Sequence, residues 1–132
     1  MARRLRITGV FLMGLCAALT LGITYTWDGG GGQQNIRWDT CANWDREYML
    51  TCWPSQPTDD AYIPPIQAQT PWTVALVTVT IEDLKIYGSV DFSDADPNDP
   101  NLATLEAGEF VIDAGDEPVN ITITGARIWT GP

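Results

Sequence analysis

The densest grouping of oxygen-bearing side chains is Asp91-Phe-Ser-Asp94-Ala-Asp96-Pro-Asn98-Asp99-Pro-Asn101. Asp94, Asp96 and Asn98 stand at alternate positions, the spacing with which oxygen ligands open a calcium loop. The sixth position of such a loop needs glycine and is Asp99 here. The twelfth, where a bidentate glutamate belongs, is Leu105, with Glu106 beside it. Asp94, Asp96, Asn98 and Asp99 are therefore candidates for an irregular calcium site, and the plainer reading is a solvated acidic turn. A second chemistry is offered by tryptophan. Trp38, Trp44, Trp53 and Trp72 could stack on a sugar ring if their faces were exposed, although a small domain needs several such residues to pack its interior. Glycoside hydrolysis needs two carboxylates across a scissile bond, but no spacing marks one pair among the 17 acids. The chain has no histidine, which excludes histidine-based nucleophilic triads. The run Gly29 to Gly32 is not followed by Lys-Ser or Lys-Thr and is no phosphate loop. Asn120-Ile-Thr122 matches a glycosylation sequon but sits within a strand pattern. No cofactor other than calcium is implied and no catalytic residue is identified.

The elements that must position these side chains begin after a leader. Arg3, Arg4 and Arg6 precede an uncharged, largely apolar run from Ile7 to Trp27, the pattern of a secretory signal peptide. Cys16-Ala17-Ala18 and Thr20-Leu21-Gly22 offer cleavage points, so residues 1–22 are assigned to the signal. A single membrane anchor is the alternative, because Ile7 to Tyr25 is just long enough to span a bilayer. Leu15 before Cys16 argues against lipidation. All 17 acids lie at or after Asp28 and only Arg37, Arg46, Lys85 and Arg127 remain as bases, so the processed chain carries a net charge near −13. That surface repels nucleic acid and anionic headgroups. Cys41 and Cys52 then form an even pair in an exported chain, and a disulfide is expected between them.

Two textures follow. Residues 23–71 are rich in Trp, Gly, Asp, Asn and Pro and show little periodicity, as an irregular N-terminal cap would. Residues 72–132 read as strands: Val77 to Ile81, Val90 to Phe92, a pair around Gly108 within Leu102 to Ile112, and Val119 to Thr124, mostly β-branched and bounded by Gly, Pro or Asp. Aligning Gly88, Gly108 and Gly125 gives spacings of 20 and 17 residues. Val90, Phe110 and Arg127 then fall two positions on, and Phe92, Ile112 and Trp129 four positions on. A period near twenty is that of a β-solenoid coil. The fold expected is all-β, a short right-handed parallel β-helix with a Trp-rich cap; the alternative is a β-sandwich.

The series Tyr25-Thr-Trp27-Asp-Gly-Gly-Gly-Gly, Trp38, Asn43-Trp44, Pro57, Asp59-Asp60 and Ile63 resembles the opening of large secreted bacterial surface proteins of the autotransporter-like β-helix type. Ile81 to Phe92 looks like a first coil of such proteins. The resemblance implies a parallel β-helix, export and a surface role, and it carries over no functional residues because the motif is structural. Two departures are the cysteine pair and a chain of only a few coils, which suggests either a truncated product or a small stand-alone version. Together these readings lead to the expectation of a non-catalytic, secreted or cell-surface structural or adhesion module of bacterial type. A carbohydrate-binding module is the alternative. Extracellular polysaccharide or other surface proteins are the expected partners, with no nucleic acid and no membrane once the signal is removed.

Overall fold

The computed structural model describes residues 22–32, 34–46, 52–66, 70–113, 115 and 118–130. The expected signal peptide falls almost entirely outside them. The described chain is all-β: β1 (Thr24–Trp27), β2 (Trp44–Arg46), β3 (Asp60–Ile63), β4 (Trp72–Leu76), β5 (Val79–Ile86), β6 (Val90–Asp94), β7 (Ala103–Ile112), β8 (Ile121–Thr124) and β9 (Ala126–Thr130), with one 3-10 turn over Cys41–Asn43 before β2.

A large sheet has the order β2-β1-β3-β5-β7-β9 and a small one the order β4-β6-β8. Every pairing is parallel except β1 with β2, which makes the large sheet mixed. From β3 onward consecutive strands alternate between the sheets, and each pairs with the strand two further along the chain. Register is pinned by which face is buried, because a slip of one residue would turn every apolar side chain outward. In-register apolar rows result: Ala61, Leu84 and Phe110; Ile63, Ile86 and Ile112; Val79, Leu105 and Ile128; Val74, Phe92 and Ile123. The buried members of these rows, with Tyr25, Trp27, Trp38 and Trp44, form one continuous core.

In β5 the inward positions are Val79, Ile81, Leu84 and Ile86, so Glu82 and Asp83 both stay outside the core and the alternation shifts phase there. Strand β7 repeats the shift, with Ala103, Leu105 and Ala107 buried and Gly108 and Glu109 exposed.

The glycine alignment does not describe this register. Gly88 lies between β5 and β6, Gly108 inside the unbroken ten-residue β7, and Gly125 between β8 and β9. Partner residues are 23 apart at Asp60 and Asp83, 26 at Val79 and Leu105, 18 at Trp72 and Val90, and 31 at Val90 and Ile121. Turns of unequal length between the strands produce the uneven spacing, while the pairings stay regular. The region read as an irregular cap contributes β1 and β3 to the same sheet as β5.

Candidate functional site

The tryptophans converge at the N-terminal end of the stack. Trp44, at the start of β2, meets Trp27 edge-on at 5.0 Å between ring centroids, Trp38 at 4.7 Å and Tyr25 at 6.3 Å. The Trp38 indole N–H donates to the Pro54 carbonyl at 3.0 Å, and that of Trp44 to the Trp38 carbonyl at 2.6 Å. Trp27 is equally buried, and its N–H finds no acceptor among the described residues. Trp38 and Trp44 thus present no face to a sugar ring. Trp53 and Trp72 are half-buried against the same core, and Trp72 donates to the Pro64 carbonyl at 2.9 Å. The four sugar-stacking candidates therefore form no exposed row. The exposed tryptophan is Trp129, on β9 at the opposite end.

Two polar side chains of the motif series, Asn43 and Asp59, organise the cap. Asn43 is fully buried. Its Oδ1 accepts from the Gly31 N–H at 2.7 Å, and its Nδ2 donates to the carbonyls of Asn35 and Arg37 at 2.8 and 3.0 Å. Its own carbonyl accepts from Asp28 and Gly29. One amide thus ties the glycine run to the turn ahead of β2. Asp59 is also buried; its Oδ2 accepts from the N–H groups of Ser55 and Gln56, both at 3.0 Å, and its Oδ1 from Ile23 at 3.4 Å. The Cys41–Cys52 disulfide joins these two neighbourhoods, with its Cα atoms 4.8 Å apart.

The acidic turn after β6 is held by its own side chains. Asp94 accepts from the N–H of Asp96 through Oδ1 at 2.8 Å and from that of Ala103 through Oδ2 at 3.2 Å. Asp99 Oδ1 accepts from the Asn101 N–H at 2.9 Å. Arg37 forks onto Asp39 at 2.9 and 3.1 Å and reaches across to Asp96 Oδ1 at 3.1 Å and the Ala95 carbonyl. The hydrogen bonds to Asp39 and then Asp96 push its guanidinium further above its ordinary value, so it stays a cation. Asn98 is exposed. Among the described residues no group of three or more His, Cys, Asp or Glu side chains converges as metal ligands would. Of the candidate calcium oxygens, Asp94 Oδ1 and Oδ2, Asp96 Oδ1 and Asp99 Oδ1 accept the turn and cap hydrogen bonds.

On the outer side of the large sheet Asp60, Asp83 and Glu109 stand in register on β3, β5 and β7. Burial, reinforced by the charge of Asp83, pushes the Asp60 carboxyl above its ordinary value, and Lys85, 4.0 Å away, opposes this. No known protein family, curated protein or solved structure matches this chain.

Proposed function

We propose that the chain is a short right-handed parallel β-solenoid that serves as a non-catalytic structural or adhesion module outside the cell. The strand pairing carries this reading: each strand from β3 on alternates sheets and pairs in parallel with the strand two later, stacking apolar rows inward. Right-handedness follows from the near-universal hand of parallel β-crossovers. Export is supported by the basic and apolar leader and by the Cys41–Cys52 disulfide, which persists in oxidising compartments. The likeness of the Trp-x-Gly-Gly, Asn-Trp and Pro-x-x-Asp series to secreted β-helix proteins points the same way. A rigid stack with an acidic, hydrogen-bonded surface suits display and spacing.

The test is a titration of the folded protein against a panel of polysaccharides. Tryptophan fluorescence is followed with and without calcium, and reducing ends are assayed in parallel. The expected outcome is neither a saturable shift nor bond cleavage. A saturable shift with one glycan would turn the reading to a carbohydrate-binding module, and release of reducing ends to an enzyme.

A further inference from the structure

We propose that the leader is cut between Gly22 and Ile23, and that the ammonium group this frees on Ile23 is captured by the buried carboxylate of Asp59. The inference rests on the leader being a cleaved signal peptide, and it gives the processed end a place in the fold. Asp59 is 2% exposed, and among the described residues no Arg or Lys pairs with it. Its Oδ2 accepts from the N–H groups of Ser55 and Gln56, at 3.0 Å each. Among the described residues its Oδ1 accepts from the Ile23 N–H alone, at 3.4 Å, longer than such bonds usually are. An enclosed carboxylate with one oxygen so weakly served favours a cation beside it.

That oxygen meets the one backbone nitrogen that processing turns into a cation. Hydrolysis of the Gly22–Ile23 amide by a signal peptidase adds water across the C–N bond. It leaves a carboxylate on Gly22, which departs with the leader, and an ammonium on Ile23. The amide brings one N–H, whereas the ammonium brings three and a charge. A second acceptor is close by. Thr58 Oγ1 is buried with no hydrogen-bond partner, and the Thr58 carbonyl lies so near Gly22 that a Cβ there would collide with it. That contact keeps a side chain off Gly22, the position where a signal peptidase needs a small residue. Ile23 is fixed from its other side as well: its carbonyl accepts from the Asp60 N–H at 2.9 Å, and β1 begins at Thr24. The first pairings of the large sheet thus hold this nitrogen against Asp59. Cleavage after Ala18 would instead leave an amide at Ile23, with four leader residues ahead of it.

The pairing makes stability depend on pH as a plain amide would not. A carboxylate beside the α-ammonium favours its charged form, so its folded pKa lies above the range of about 7.7–8.0 usual for a free terminus. Its contribution is complete below that range and is lost as pH rises through the folded value. Among the described residues, the titratable groups nearest in register on the adjoining strands are Tyr25 on β1, Arg46 on β2, Asp60 on β3, and Glu82, Asp83 and Lys85 on β5. They are the same whatever precedes Ile23, so they cancel between two chains that differ only there.

The cut is tested by exporting the full precursor from a secreting host and reading the first residue and the mass of the product. Ile23 first is the expected result. Leu19 first overturns the proposal and leaves the signal peptide standing, whereas an uncut chain overturns both. The ammonium is tested separately, in urea titrations of the chain 23–132 against the chain 19–132, each with its disulfide formed. At neutral pH the shorter chain is expected to have an unfolding constant at least about tenfold lower. That gap closes as pH rises from about 8 to about 10, and it is absent when both chains carry Asp59→Asn. Should Asp59→Asn not fold, titration of the Ile23 amine by NMR decides: a pKa above about 8 supports the pairing, and one of about 8 or lower overturns it. Equal stability of the two parent chains, or a gap that does not change with pH, would leave Asp59 a cap for Ser55 and Gln56 and overturn the proposal.

Discussion

At the scale of single residues, several of the buried polar side chains among the described residues are committed to backbone. Asn43 serves an N–H and two carbonyls, Asp59 three N–H groups, and Trp38 and Trp44 one carbonyl each. Such groups hold irregular chain in place around β1 and β2, where no ladder does so. Asp60 differs. Its Oδ1 is buried with no hydrogen-bond partner, and desolvation followed by the Asp83 charge raises its pKa from 3.8. The folded state therefore holds this proton more tightly than the unfolded chain does. Its contribution to stability is greatest below pH 3.8, falls as pH rises through the raised folded value, and stays low at neutrality. Asp60→Asn removes the titration. The variant is expected to gain over the parent as pH climbs from 3 to 7, the gain being modest because Asp60 is partly exposed and screened. Urea midpoints at both pH values check this, and a gain that does not grow with pH would contradict it.

At the scale of elements, the alternation of Val79 to Ile81 and of Val90 to Phe92 was readable in the sequence because each strand buries one face. The joining of Val79 to Ile86 into one strand was not, since Glu82 and Asp83 break the period of alternation within it. Gly108 illustrates the same difficulty. As a residue type it reads as a boundary, yet it sits mid-strand where a Cβ would lie 2.9 Å from the Glu82 carbonyl oxygen of the neighbouring rung. Close approach of two backbones is a property of the pair of strands, invisible in either alone. The tryptophans were legible as packing for the N-terminal region, though which of them are enclosed was not, and the acidic run was legible as a turn but not in the hydrogen bonds that hold it. Stacking makes a comparison possible within one row. Ile86→Ala deletes a fully enclosed side chain and is expected to cost about 2–5 kcal/mol. Ile112→Ala, next in the row but half open to solvent, should cost less than about 1 kcal/mol. Equal losses from denaturant titration would show that the row does not end at β7.

At the scale of the whole molecule, the described strands lie in two sheets in which each strand pairs only with its neighbours, and aromatic rings, the buried Asn43 amide and a disulfide gather beside β1 and β2. In such quasi-one-dimensional structures a local weakening stays local unless the stack is short enough to unfold as a unit. The disulfide tests which regime applies. Its cysteines are 11 residues apart, and closing a loop of that size restricts the unfolded chain by roughly 3 kcal/mol. Replacing both cysteines, Cys41→Ser with Cys52→Ser, is expected to lower stability by about that amount. The structural consequence should be graded along the stack. Amides of Trp38 and Ala75, which bridge the cap to β4, are expected to lose hydrogen-exchange protection first. Those of β7 should retain theirs in excess of the cap, because β5 and β9 flank that strand on either side. Uniform acceleration across cap and coils would mean that the stack and its cap open as a single cooperative body. In that case the tryptophan cluster is part of one indivisible core rather than a lid placed on a coil assembly.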